Sequence, residues 1–330
     1  KSIYNVLNPQ LDGYWQFLGR VDLDGTWFYH SPVPAHTTRD NFDFETHLHD
    51  VVGETFDLDF IHIGFWDLRI AVAETYRNNR IFIAGDAAHS HPPYGGYGVN
   101  LGFEDARNLS WKLAATLNGW AGANLLDSYS LERRAVFQST SRHFIGRMIE
   151  DDRTFIASYS PERDRPAFEA AWAERASGGN ADVTQYLPHY EGSPITVHST
   201  AGSKPETKLQ QEPDGAGGAR GIHTVRARNG HHLAPQPLSD GRDLFEALGN
   251  GFCLISLDGA PEIEQRFDAL ARNLSVPFNL IRDSRQDGRE DYGARYILVR
   301  PDHFISWCGG DTNGWEEDIL RRALGWGHDN

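Results

Sequence analysis

One short stretch, residues 80–112 (RIFIAGDAAHSHPPYGGYGVNLGFEDARNLSWK), restricts what this chain can fold into more than any other. Residues 80–84 read as an apolar strand that delivers Gly85-Asp86 at its C-terminal end, where open α/β sheets place their ligands. A carboxylate there can accept hydrogen bonds from the hydroxyls of a sugar or ribityl chain. Pro92-Pro93 stiffens the path that follows, because proline fixes φ and offers no donor. Gly95, Gly96 and Gly98 let the backbone approach a flat ligand closely. A helix is expected to open near Asn100, leaving the amides near Val99 and Asn100 without intrahelical partners. Those donors and the helix dipole favour a ligand edge that carries or develops negative charge. A glycine cluster alone fits the strand-to-helix turn of any α/β protein. Strand, Gly-Asp, double proline, three glycines and helix in one order make a far narrower pattern.

Residues 14–34 (YWQFLGRVDLDGTWFYHSPVP) read as strand, turn, strand, with Asp24-Gly25 between aromatic-rich arms. An extended or loop-rich stretch is expected from there to about Trp66. In the helix after the glycine loop, Leu101, Ala106, Leu109, Leu113 and Leu117 fall close to helical spacing, and Gly119 supplies the stop. A second helix is expected from Asp127 toward Ile149. Its Glu132-Arg133-Arg134 run, like Glu162, Arg163, Asp164 and Arg165 later, reads as a solvated face. Residues 203–221 (SKPETKLQQEPDGAGGARG) have linker composition. Beyond them, residues 252–257, 295–299 and 303–307 are strand-like, residues 262–273 and 315–324 helical, and together they suggest a small separate α/β domain.

A formal net charge of −15 argues against nucleic acid as a partner, since phosphate neutralisation needs clustered Lys and Arg. No apolar run approaches the ~20 residues that cross a bilayer, and residues 1–10 (KSIYNVLNPQ) do not have the form of a secretory signal. Cys253 and Cys308, without a CxxC pair, fit a reducing cytoplasm and read as buried small hydrophobes. His47-Leu48-His49 and His89-Ser90-His91 could each place two imidazoles on one face of a strand. Neither pair has an HExxH or CxxC companion, so packing histidines are expected and no metal. No GxSxG elbow supports a hydrolase of that type. Trp27, Phe28, Tyr29 and His30 suit an aromatic pocket or a packed sheet core equally well.

The segment GDAAHSHPPYGGYGVNLGFEDARNLSWKL resembles the second flavin-binding motif of the class A flavoprotein hydroxylases, the family of para-hydroxybenzoate and phenol hydroxylases. LLDSYSLERR (residues 125–134) resembles that family's next helix, and residues 230–257 and 298–307 its C-terminal thioredoxin-like domain in the phenol hydroxylase branch. The resemblance implies an α/β fold: the C-terminal part of a FAD-binding Rossmann-like domain (residues 66–150) with a mixed β-sheet substrate domain (residues 1–65). A helical segment and linker (residues 151–212) and a thioredoxin-like α/β domain (residues 213–330) would follow. It implies FAD bound by Gly85, Asp86, Pro93, Gly95, Gly96, Gly98, Val99 and Asn100. Asp86 would hold the ribityl chain, the Pro93 carbonyl would lie beside the reactive flavin face, and the Val99 and Asn100 amides would meet the pyrimidine edge.

The implied reaction is hydroxylation of a small phenolic or related aromatic substrate with NAD(P)H and dioxygen, with His91, Tyr29 and His30 as candidates for the assisting base. The family's opening GxGxxG and its middle Asp-Gly motif do not occur in this sequence. An N-terminal FAD-binding fragment or separate chain is therefore expected as a partner, and a homodimer is one arrangement the resemblance allows. A non-catalytic flavin-binding half, or an oxidase or epoxidase of the same fold, are the competing expectations.

Overall fold

The computed structural model describes residues 3–8, 15–177, 184–197 and 217–326. The chain packs as two units, one of Lys1–Leu68 with Ile145–Gly179 and one of Arg69–Phe144 with Asn180–Asn330.

In the first unit, β1 (Ile3–Leu7), β2 (Trp15–Arg20) and β3 (Trp27–His30) form an antiparallel sheet in that order. The expected hairpin joins β2 to β3. Asp22 Oδ1 accepts the Asp24 and Thr26 amides at 2.9 and 3.0 Å, and Gly25 takes φ +110°. Tyr14 lies outside the described residues. The stretch expected to be loop up to Trp66 contains a helix instead, α1 (Phe44–Val52). Asp43 caps it by accepting the Thr46 amide at 3.0 Å, and Gly53 closes it in the left-handed conformation. None of its residues is buried, although Phe44, Leu48, Val51 and Val52 fall at helical spacing, so the period was present in the sequence and sequence reasoning missed it.

The second unit begins with two hairpin-like pairs of very short strands. β4 (Ala71–Val72) pairs with β7 (His89–Ser90), and β5 (Arg77–Asn78) with β6 (Ile81–Phe82). The apolar strand expected over residues 80–84 is therefore only Ile81–Phe82, antiparallel to its neighbour rather than set in a parallel sheet. A buried parallel strand needs partners on both sides. Among the described residues β6 has one, and Ile81 is 69% exposed. The glycine loop leads into α2 (Tyr97–Leu117), which starts earlier than the Asn100 expected. After α3 (Asp127–Thr140) comes a π-helical turn, Ser141–Ile145, and the chain re-enters the first unit as α4 (Gly146–Ser158) and α5 (Arg165–Ser177). The helix expected to run from Asp127 toward Ile149 is thus divided by a widened turn. Phe155 of α4 packs on Phe168 and Trp172 of α5.

Returning to the second unit, β8 (Tyr186–His189) pairs with β9 (Gly218–Arg220). Most of the linker-like segment, residues 203–216, lies outside the described residues. Its end is a strand rather than linker: Ala219 is buried and its amide donates to Ser139 Oγ at 3.0 Å.

After α6 (Leu244–Leu248), β10 (Phe252–Leu257), α7 (Pro261–Asn273), β11 (Phe278–Asp283), β12 (Tyr296–Val299), β13 (Ile305–Gly309) and α8 (Glu316–Ala323) build a four-stranded sheet in the order β11-β10-β12-β13. β11 is parallel to β10 across α7, and β12 and β13 are antiparallel neighbours. Strand alternation divides the core in two. Phe252, Leu254, Tyr296, Leu298 and Trp307 face α7 and α8, together with Trp111 and Trp120. Cys253, Ile255, Ile297, Val299 and Ile305 face Leu233, Leu244 and Leu248. β11 (FNLIRD) is only partly buried and has no continuous apolar run, which is why sequence pattern does not reveal it. Among the described residues no helix is long and apolar enough to cross a membrane.

Phe252 meets both Trp111 and Trp120 edge-on, at 5.7 and 6.4 Å between ring centroids. Phe252→Ala is expected to cost about 3–5 kcal/mol in denaturant unfolding through loss of burial and the cavity left behind. A loss below ~1 kcal/mol, the size of a Val-for-Ile change, contradicts this assignment of the core.

Candidate functional site

The glycine loop is shaped by backbone conformation more than by crowding. Gly85, Gly95 and Gly96 have φ of +56°, +62° and +70°, a region that L side chains rarely adopt. A Cβ on Gly96 would meet nothing within 4 Å, so the rim is open there, whereas one on Gly95 would lie 2.6 Å from the Tyr97 ring. Asp86, Pro93, Gly95, Gly96, Val99 and Asn100 are all exposed along it. Because α2 starts at Tyr97 with no side-chain cap, the amides of Gly98 and Val99 sit in its first turn, where none has an intrahelical acceptor. Asn100 stands one residue further in, and its side chain donates to the Gly96 carbonyl at 2.9 Å. His91 donates from Nδ1 to the Pro92 carbonyl at 2.6 Å, which leaves buried Nε2 without a hydrogen bond. Burial lowers the pKa of His91, so the ring is neutral in ordinary conditions.

Behind the loop lies a residue that sequence reasoning missed. Asp105 of α2 is fully buried and accepts the Gly85 amide and His89 Nε2 on one oxygen, both at 2.9 Å, and Arg133 Nε on the other at 2.7 Å. Arg133 goes on to the Tyr190 hydroxyl at 3.0 Å and the Leu101 carbonyl at 3.2 Å. Burial alone would push the Asp105 carboxyl up, but His89 and Arg133 together hold it below the ordinary range. His89 stacks on Phe137 at 4.4 Å. His89 and His91 therefore turn to different partners rather than toward a shared ion.

A second buried cluster fixes the same helices to the C-terminal sheet. Glu132 of α3 accepts Lys112 Nζ (2.7 Å), Arg300 Nη1 and Nη2 (2.7 and 3.0 Å), Asn108 Nδ2 (2.8 Å) and Ser193 Oγ (2.6 Å). Asp302 takes Arg300 Nε at 2.9 Å and Trp111 Nε1 at 3.0 Å. The solvated face expected for Glu132-Arg133-Arg134 is overturned, since Glu132 and Arg133 are 0% and 1% exposed. The expected aliphatic face of α2 stands in part, since Leu101 is buried and Leu109 packs against a core cluster. Its buried positions are Leu101, Asp105, Asn108, Trp111, Lys112 and Ala115, while Ala106 is exposed and Leu117 is 85% exposed. The helical period was present, but half of the buried stripe is polar, with Asp105 and Lys112 held in ion pairs, a pattern that hydrophobic spacing cannot report. Glu162, Arg163, Asp164 and Arg165 are exposed, as expected, although the first three precede α5.

Tyr29 and His30 stand on β3 in the first unit. The Tyr29 hydroxyl accepts Gln16 Nε2 at 2.9 Å and lies 3.1 Å from His47 Nε2, which is 3.0 Å from Ser31 Oγ. Burial raises the Tyr29 pKa and lowers those of His30 and His47. His30 stacks on Phe17 at 4.9 Å. His47 and His49 lie on α1, not on a strand, so residues two apart point to different sides. His49 bonds the Phe56 carbonyl at 2.9 Å instead. Cys253 is buried, with its thiol pushed up to about 12 by burial, and Cys308 Sγ lies 3.2 Å from Asn229 Oδ1.

Glu132 yields a stability prediction. Burial by itself raises its pKa, but Arg300, Lys112 and the hydrogen bonds from Arg300 and Asn108 outweigh that and hold it below the ordinary value of 4.5. Burial lowers the Lys112 ammonium to about 8 despite Glu132, because the one carboxylate is shared with Arg300, which repels the lysine. A depressed carboxylate contributes stability that is present above its unfolded pKa and lost as pH falls through the folded one. Unfolding free energy should therefore fall with acidification below about pH 4.5. Glu132→Gln should remove about 3–5 kcal/mol at neutral pH and flatten that acid limb. Equal stability of the two proteins in urea at neutral pH would contradict the network.

Residues 28–143 match the family model described as FAD binding domain. The chain is 32% identical to a putative polyketide hydroxylase of Streptomyces halstedii over 97% of its own length and 58% of the relative's. It is 29% identical to the aklavinone 12-hydroxylase RdmE of Streptomyces purpurascens, over 98% and 61% of the two chains. Its fold matches that of the flavin-dependent monooxygenase PieE, solved in complex with FAD and substrate. The TM-score is 0.71 at 22% identity, covering 95% of this chain and 60% of that one. The chain thus spans little more than half the length of these relatives. They are single-chain proteins, which gives no support to the separate N-terminal partner expected from sequence. Residues 28–143 thus match an FAD-binding family, and the chain is similar to FAD-dependent polyketide and aromatic hydroxylases, consistent with the class A flavoprotein aromatic hydroxylases.

Proposed function

We propose that this chain carries the flavin-facing and C-terminal portion of an FAD-dependent monooxygenase that hydroxylates a phenolic or related aromatic ring, using NAD(P)H and dioxygen. The observation that carries this reading is the loop from Gly85 to Asn100: left-handed glycines, an exposed carboxylate and first-turn amides on one rim, tied down from behind by Asp105. The residues present fit the cofactor. The rim is open at Gly96, with no side chain within 4 Å of where a Cβ would stand, and the Gly98 and Val99 amides are the kind of donor an anionic ring edge requires. Asp86 would hold the ribityl hydroxyls, the Pro93 carbonyl would lie by the reactive face, and the amides around Val99 and Asn100 would meet the pyrimidine edge.

Bound FAD supplies the redox chemistry, accepting a hydride from NAD(P)H and activating dioxygen. The chain's own groups orient, shield and handle protons. Neutral His91, with its Nδ1 proton committed to Pro92, can take a proton at Nε2. The Tyr29 hydroxyl and His47, 3.1 Å apart, can hold one between them, while His30, a further candidate, faces Phe17 and Trp66 instead. Among the relatives are, by name, a polyketide hydroxylase, an aklavinone hydroxylase and a nitrocatechol monooxygenase, names that support an aromatic substrate class.

The βαβ unit of β10, α7 and β11, with antiparallel β12 and β13 and with α8, supports a thioredoxin-like reading of residues 213–330. Its role is structural, since Cys253 is buried as a thiol and no CxxC exists.

Asp86→Ala is expected to weaken FAD retention by ~1.5–3 kcal/mol, the worth of a charge-assisted hydrogen bond. Flavin content measured by absorbance in the purified variant checks it, and unchanged content removes Asp86 from the site. With isotopically labelled dioxygen, one labelled oxygen is expected in the hydroxylated product. A turnover product without label replaces monooxygenation by an oxidase reaction.

A further inference from the structure

Well away in sequence from the glycine loop, three side chains of the second unit converge where β8 meets the C-terminal segments. His189 ends β8, Glu191 follows it, and His231 lies on the stretch that bridges to His189. One donor atom from each lies within 4.8 Å of the others. His231 Nε2 is 2.8 Å from Glu191 Oε1, and the two imidazole rings stack with centroids 5.2 Å apart. His189 is 0% exposed, yet neither of its ring nitrogens has a hydrogen-bond partner. A buried imidazole with two unsatisfied nitrogens is costly and rare, and its lone pair asks for a proton donor or a cation.

The backbone around the cluster is closely fitted. The Tyr190 amide donates to Gly230 O at 2.6 Å, and the Gly230 amide to Ile305 O at 2.7 Å. A Cβ on Gly230 would lie 2.7 Å from the Glu191 nitrogen, and one on Gly217 would lie 2.1 Å from the His189 carbonyl oxygen. Gly217 and Gly230 therefore let the segments close in, and this closeness presents both imidazoles and the carboxylate to one point.

We propose that His189, Glu191 and His231 form a binding site for a divalent transition-metal ion of the zinc type, with water as fourth ligand. Two imidazole nitrogens and one carboxylate oxygen are a ligand set that suits zinc. Zinc bonds of ~2.0–2.2 Å bring the donors nearer to one another than they stand here, so small side-chain rotations close the site on the ion. Arg228 acts electrostatically on both His189 and Glu191 and opposes a cation, whereas the Glu191 charge favours one. Glu191 is partly exposed and provides the route of entry. The bound ion would staple β8 to the segment that carries the C-terminal sheet, a structural role separate from flavin chemistry.

The test uses the untagged protein, stripped with chelator and dialysed, then titrated with zinc sulfate in a calorimeter and with cobalt(II) followed by its visible ligand-field absorption. One equivalent of zinc, a cobalt spectrum typical of four-coordination and a melting temperature that rises with zinc concentration are expected. His189→Gln and His231→Gln are expected to lower zinc affinity on the order of 100-fold and to abolish the melting shift. Glu191→Gln, at a partly exposed position, is expected to weaken zinc binding while leaving the circular dichroism of the apoprotein unchanged. It decides the matter if either histidine variant fails to fold. The absence of stoichiometric binding by the wild-type protein overturns the site, as does binding undiminished in Glu191→Gln and in the folded histidine variants. None of these readouts depends on flavin or turnover.

Discussion

Asp105 shares its two oxygens among Gly85, His89 and Arg133, and so ties the root of the glycine loop to α2 and α3. The loop's own conformation is costly in the entropic sense that glycine always is, and its rim is open to solvent. Local preferences alone would leave it with many conformations. A charge-assisted bond from a buried carboxylate to the Gly85 amide selects one of them, and His89 and Arg133 together hold that carboxyl below its ordinary range against the effect of burial. The orientation of the exposed groups around Asp86 and Val99 follows from this anchor.

The cluster of Lys112, Glu132, Arg300 and Asp302 extends the same logic toward the C-terminal sheet. Buried ion pairs are poor sources of net stability, because desolvation offsets most of the attraction. Their geometry, however, tolerates no slippage: five donors converge on Glu132 from α2, the β12–β13 turn and the loop after β8. Arg300 also lies over Trp111 and Tyr190 at 5.3 and 5.1 Å, which adds directional contact to the charge. The buried polar residues of α2 therefore set the register of this helix against the rest of its unit, and the apolar core of the sheet supplies the burial.

Sequence made the loop legible because it is built of residues with special backbones: Gly85, Gly95 and Gly96 take positive φ, and Pro93 and Asp86 stand exposed near them. The hairpin of β2 and β3 and most of the C-terminal sheet were legible for similar reasons, a turn signal in one and continuous apolar strands in the other. The anchor was not. Asp105, Glu132 and Arg133 look like the solvent-facing charges of ordinary helices, and only partners distant in the chain, such as Arg300, make their burial affordable. β6 was overread because an apolar run predicts a strand without saying how many neighbours it has. β11 was underread because it buries little and has no continuous apolar run, and α1 because its short stripe of Phe44, Leu48, Val51 and Val52 was missed. The convergence of His189, Glu191 and His231 depends on strand pairing across residues far apart, which no local motif announces.

If Asp105 holds the glycine loop in the shape that receives flavin, removing its charge must be felt at the flavin. Titrating FAD into the folded Asp105→Asn variant and following the change in flavin absorption measures this most directly. Loss of one charge-assisted bond at the loop's root should weaken binding by at least roughly tenfold, equivalent to ~1.5 kcal/mol or more, with far-ultraviolet circular dichroism unchanged. Binding equal to that of the wild-type protein would show that the loop keeps its shape without the carboxylate, and would contradict the anchoring role of Asp105.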